Sequence, residues 1–210
     1  MKKTFIVAIL ILLGSFYPSF ANEYDIANYT IAINSISDPY EKAENYANRA
    51  GEFMLTGDYQ NAINDATKAI KIGYDRDKYD FVEWALTVYY TRAISYQYTK
   101  NYTAAIADYT TYIKEATKIR KYYNDPHIEL LLGNCYYLRV VAELEQYPLI
   151  RSKADGKIVH YANMHDDMLR KFNDLEMAIK IYSGIDSQQA KKKKALTEEL
   201  LKDLKATYYK

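Results

Sequence analysis

The sequence predicts an all-α fold: an α-solenoid of stacked antiparallel helix pairs, closed by a C-terminal capping helix. Three observations predict it. A two-helix pattern over residues 43–74 returns further on, with Tyr59 and Tyr102 in the same place after the turn, a step of 43 residues. Only four Pro and seven Gly occur in 210 residues, which leaves room for long helices and short turns. No segment alternates apolar and polar residues with a period of two, so no strand is predicted.

The elements follow in order. Lys2 and Lys3, the apolar run Phe5–Leu13 and the small-x-small triplet Ser19-Phe20-Ala21 predict a secretory signal peptide over 1–21, cleaved after Ala21. The apolar run is short for a membrane span; the alternative is an uncleaved anchor. Ile26, Ala27 and Ile31 predict a lone helix over Tyr24–Ile36, stopped at Ser37-Asp38-Pro39. Tyr46, Ala50 and Phe53, then Ala62, Ile63, Ala66, Ala69 and Ile70, predict the first hairpin over Glu41–Thr56 and Tyr59–Ile72. Gly57-Asp58 supplies its turn and Gly73 its end. A stripe from Phe81 through Trp84, Val88, Arg92 and Tyr96 predicts a helix over Asp80–Thr99, with Asn101 capping the next one to about Tyr123.

Asp125-Pro126 opens a further helix to about Gln146, since Pro suits a first turn. The polar stretch 151–157 reads as a surface loop. Tyr161, Met164, Met168, Phe172, Leu175 and Ile179 carry a helix to Tyr182. Asp186 or Ser187 caps the last one, whose stripe is Ile185, Ala190, Leu196, Leu200 and Leu204. Lys191 to Lys194 read as its solvated face. The expected organisation is a signal peptide (1–21), a helical-repeat domain (22–184) and a capping helix (185–210). The domain holds a half-repeat, about two regular repeats and an irregular third.

Composition bounds the rest. A hydrophobic content of 49% suits a folded chain. The formal charge is +1, and losing Lys2 and Lys3 with the signal peptide makes it −1, so nucleic-acid binding, which wants a basic face, is not expected. Twenty-four Tyr fit amphipathic faces and binding surfaces, because a ring can be buried while its hydroxyl meets water or a partner. Cys135 is the one cysteine, so no internal disulfide is possible, and its apolar surroundings predict an inert buried thiol.

Within each hairpin the sequence resembles the tetratricopeptide repeat family. The residues that carry the resemblance are Tyr46, Ala50, Phe53, Tyr59, Ala62, Ala66 and Ala69, and then Tyr89, Ala93, Tyr96, Tyr102, Ala105, Tyr109 and Tyr112. Ala66 and Tyr112 depart from the pattern in size. The lone helix fits the second half of a repeat, and the third unit opens with Leu132, Gly133 and Tyr136 before departing at Pro148; Leu175 and Ala178 resume the pattern in its partner helix. The 43-residue step exceeds the family's repeat of about 34 residues. These are packing residues, so they speak to fold and hardly to function.

No catalytic set can be named. His127, His160 and His165 do not share a helical face with other ligand types, and no phosphate loop, nucleophile elbow or dinucleotide fingerprint is present. No enzyme activity, metal or cofactor is expected. The resemblance implies a concave groove lined by first helices and holding a peptide. The lining positions would be Met54, Tyr90, Ile94, Gln97, Leu130, Asn134 and Tyr137, with Tyr90 and Tyr137 as anchors. Ala47 and Gly51 stand where a carboxylate clamp would need polar groups. The expected function is an exported adaptor that binds another protein or peptide in the periplasm or as a secreted protein, with no membrane insertion after cleavage. The alternatives are an immunity-type protein neutralising a toxin or enzyme, and a binding protein for a small molecule or cell-wall fragment.

Overall fold

Short polar residues between the apolar stripes set where each helix begins. Asp38 accepts hydrogen bonds from the Tyr40 and Glu41 amides with Pro39 at the first helical position, so the segment expected only as a stop also starts the next helix. Asp58, Asn101, Asp125 and Ser187 each accept from an amide in the first turn that follows them. The computed structural model describes residues 23–73, 83–146 and 164–209. Among them the chain is all-α, with eight helices: α1 Glu23–Ser35, α2 Pro39–Leu55, α3 Tyr59–Ile72, α4 Glu83–Tyr98, α5 Tyr102–Ile119, α6 Pro126–Gln146, α7 Met164–Ser183 and α8 Gln188–Tyr208. The expected signal peptide and the stretch 151–157 lie outside the described residues.

The chain forms two compact units, one over residues 17–115 and one built on residues 116–210. In the first, α1 packs on α2, α2 on α3 and α3 on α4, and α2 also meets α4, as stacked hairpins require. One cluster of its core is made of small residues: Ala47, Ala50, Ala66 and Ala69 around Val88, edged by Tyr46, Ile70, Trp84 and Tyr89. Small side chains bring the backbones close, and the aromatic rings fill the space between turns. In the second unit α6 packs on α7 and α7 on α8. Helix pairs stacked in chain order are the arrangement that the sequence predicts.

A buried ion pair recurs in each hairpin. Arg49 Nε donates to Asp65 at 2.6 Å. Arg92 holds both oxygens of Asp108, at 2.7 and 2.8 Å, and Arg139 does the same with Asp174, at 3.0 and 2.8 Å. The first two arginines also reach back one helix: Arg49 to Thr30 Oγ1 on α1 at 2.7 Å, and Arg92 to Thr67 Oγ1 on α3 at 3.2 Å. Each therefore ties its own hairpin to the helix before it. α1 takes the part that α3 takes later, as a half-repeat should.

This register corrects the third unit. Tyr46, Tyr89 and Tyr136 each stand three residues before the arginine, with the guanidinium over the ring at 5.6, 6.0 and 5.8 Å. The third motif therefore begins at Tyr136, in register with Tyr46 and Tyr89, and not at Leu132, and α7 is the partner helix. Four residues after the arginine, Phe53 and Tyr96 are replaced by Glu143; three before the aspartate, Ala62 and Ala105 are replaced by Lys171. Glu143 pairs with Lys171 at 3.5 Å and with Arg170 at 2.7 Å. The irregular unit keeps the hairpin but joins its helices by charge at positions where the others carry an aromatic and an alanine. Gly133 serves a different contact. A Cβ there would lie 2.6 Å from Tyr182 Cε1, so only glycine admits the ring.

The last helix corrects the expected stripe. Its buried residues are Ala190, Lys193, Thr197, Leu200 and Leu204, spaced by three and four. Lys193 therefore lies on the packed face, while Lys191 and Lys192 stay exposed.

The turns at Gly57 and Lys100 are the same turn. In both, the amide at that place bonds three residues back, and the next amide bonds five residues back. Gly57 takes φ 83° and Lys100 takes φ 63°, a left-handed conformation that costs a side chain with a Cβ about 1 kcal/mol. Lys100→Gly is expected to raise stability by about 0.5–1 kcal/mol, read as a higher urea midpoint. A lowered midpoint would contradict the strain.

Candidate functional site, a cleft beside the α5–α6 turn

The second unit carries an open cleft of about 620 Å³. The α5–α6 turn gives Arg120 and Asn124, the first turn of α6 gives Glu129, and α7 gives Met177, Lys180 and Ile181; Gly184 and Ile185 close it from the link to α8. Local structure explains the geometry. The amides of Tyr122 and Tyr123 both bond the Ile119 carbonyl, which folds the chain tightly at the end of α5. Asp125 then caps α6 through the His127 amide at 2.7 Å. At the other wall α7 stops with Gly184 bonded to the Ile181 carbonyl.

The floor is apolar and the rim is charged. Ile181 is buried, Ile185 is half-buried and Met177 is 37% exposed, so part of the floor meets water. Arg120 and Glu129 pair at 2.8 Å across the rim. Two residues after Arg120 in the same turn, Tyr122 is 83% exposed, although it is not one of the lining residues. A concave apolar floor under a charged rim is the usual make-up of a binding pocket.

The residues expected to line a groove lie elsewhere. Tyr90 is 5% exposed and packs against Tyr112, ring centroids 6.1 Å apart. Gln97 Oε1 accepts from the Tyr109 hydroxyl at 2.8 Å, and Ile94 is buried beside them on the same helix. Tyr137 is 1% exposed, and burial, with Glu199 acting in the same direction, pushes its hydroxyl well up. Asn134 is buried, its Oδ1 accepting from Tyr182 and from Lys193, both at 2.9 Å. Met54 and Leu130 keep partial exposure. As placed, five of the seven are interior groups. The cause is visible in the second hairpin: Tyr109 and Tyr112 stand where the first has Ala66 and Ala69, and they use Gln97 and Tyr90 as neighbours.

The cleft residues escaped sequence reasoning because three of them sit in loops outside any periodic stripe. The available signal was Lys118-Ile119-Arg120-Lys121-Tyr122-Tyr123, bases and aromatics together just before a helix cap. Among the described residues no group of His, Cys, Asp and Glu converges as a metal site, and no helix is long and apolar enough to cross a membrane. Cys135 is fully buried, and burial holds its thiol well above the usual range. His160 and the side chain of His165 lie outside the described residues. No family model matches this chain, and no curated protein or solved structure matches it.

Proposed function

We propose that this chain is an exported, non-enzymatic helical-repeat protein of the tetratricopeptide kind that binds another protein in the bacterial periplasm or envelope. The observation that carries the reading is the cleft, an apolar floor of Met177, Ile181 and Ile185 under a charged rim, reached from a turn that also exposes Tyr122 two residues after Arg120. The recurring Arg–Asp pair supports the repeat assignment, since it places the same side chains at the same points of three successive hairpins. The N-terminal pattern of two lysines, an apolar run and a small-x-small triplet supports export.

The test is photo-crosslinking in intact cells with p-benzoyl-phenylalanine in place of Tyr122. A discrete crosslinked protein is expected outside the cytoplasm, attached to a mature chain that begins at Asn22. Absence of any crosslinked protein, or a cytoplasmic chain that begins at Met1, would overturn the reading.

A further inference from the structure

Charge and shape at the cleft point to the chemistry of the partner, an inference that rests on the protein-binding reading above. The acids near the cleft are already engaged. Glu129 is held by Arg120 at 2.8 Å, Asp125 caps α6, and Asp186 is held by Lys191 at 2.8 Å. The bases are in excess. Lys180 lies on the rim, Lys121 follows Arg120 in the turn, both are exposed, and no acid pairs with either among the described residues. The rim therefore presents at Lys180 a positive charge that no acid among the described residues balances, with Lys121 next in the chain to the lining residue Arg120, beside an apolar floor of Met177, Ile181 and Ile185.

We propose that the cleft takes an extended acidic segment of a partner protein that carries one large apolar side chain. The apolar side chain sits on Met177 and Ile185, and carboxylates on either side meet Lys180 and Lys121. Met177 suits this contact, because an unbranched thioether adapts to the shape of what it covers. Exposed lysines act at long range, so they steer the acidic segment, and the apolar contact holds it. A polyanion without an apolar group would use only half of the site.

The test uses the full mature chain and a fluorescein-labelled peptide of glutamates with one central leucine, read by anisotropy. Saturable binding that weakens with added salt is expected. Lys121→Glu with Lys180→Glu, and separately Met177→Asp, are each expected to weaken it by about tenfold with unchanged melting, since all three side chains are exposed. Exchange of the leucine for serine is expected to cost about as much. Three results would overturn the proposal: equal binding of the same peptide with lysine for glutamate, equal binding by the variants, or full competition by an oligonucleotide of matched charge. The two proposals fail separately. A crosslinked partner at position 122 with no peptide binding rejects the acidic segment and leaves the protein-binding reading standing, whereas no crosslink rejects that reading itself.

Discussion

Arg92→Ala is expected to destabilise the fold by about 3 kcal/mol, the order found when one partner of a buried ion pair is removed. The reason is what remains behind. Asp108 is 5% exposed and has two charge-assisted hydrogen bonds from the guanidinium. Without them it keeps a charge in the interior or takes up a proton, and both cost free energy. The link to Thr67 on α3 is lost as well, together with the packing of the guanidinium on Tyr89 and Tyr96. The same substitution combined with Asp108→Leu is expected to recover much of the loss, because no buried charge is then stranded. Urea unfolding of the wild type, the single and the double variant decides the matter. A single variant within about 0.5 kcal/mol of wild type would show that the recurring pair is ornamental to stability.

Lys193→Met is expected to change how stability depends on pH. Lys193 is buried on α8, where it donates to Asn134 Oδ1 at 2.9 Å, and burial lowers its ammonium from 10.5 to about 7. The unfolded chain restores the ordinary value. Between about pH 7 and 10.5 the unfolded state therefore binds more protons than the folded one, and stability rises with pH through that window. The slope approaches about 1.4 kcal/mol per pH unit where the two states differ by a full proton. Below about 7 both states are protonated and the cost of the buried charge is fully present. Methionine removes it while leaving the Tyr182–Asn134 bond in place. The variant is expected to exceed wild type by about 1–4 kcal/mol at pH 7, with the gap closing towards pH 10. Comparing the two chains cancels the tyrosines that titrate in the same range. Parallel stability curves would refute the assignment of the slope to Lys193.

The fold was legible where one physical rule decides. Asp58, Asn101 and Ser187 cap helices because a short polar side chain meets amides that the helix leaves unbonded. Ala50 and Ala66 face inward because the helical period puts them on one side with other small residues. The candidate site was not legible. Tyr90 and Tyr137 look like anchors when only their own helices are considered, yet Tyr112 packs against the first and the second is 1% exposed. Lys193 reads as one of four solvated lysines, although the three- and four-residue spacing from Ala190 to Leu204 puts it on the packed face. Its companions at neighbouring positions masked it.

What the sequence determined by itself was the all-α class, the order of the helices and the starts that Asp58, Asn101, Asp125 and Ser187 cap. Those follow from periodicity, caps and turns, which act over a few residues. The helix expected to reach about Tyr123 ends at Ile119. The tertiary structure decided three further things: that Arg49, Arg92 and Arg139 each meet an aspartate on the next helix, that the third motif begins at Tyr136 rather than Leu132, and that the α5–α6 turn and the end of α7 line one cleft. Each depends on which faces meet. Burial and pairing are properties of what lies across from a residue, and that partner stands many positions away along the chain.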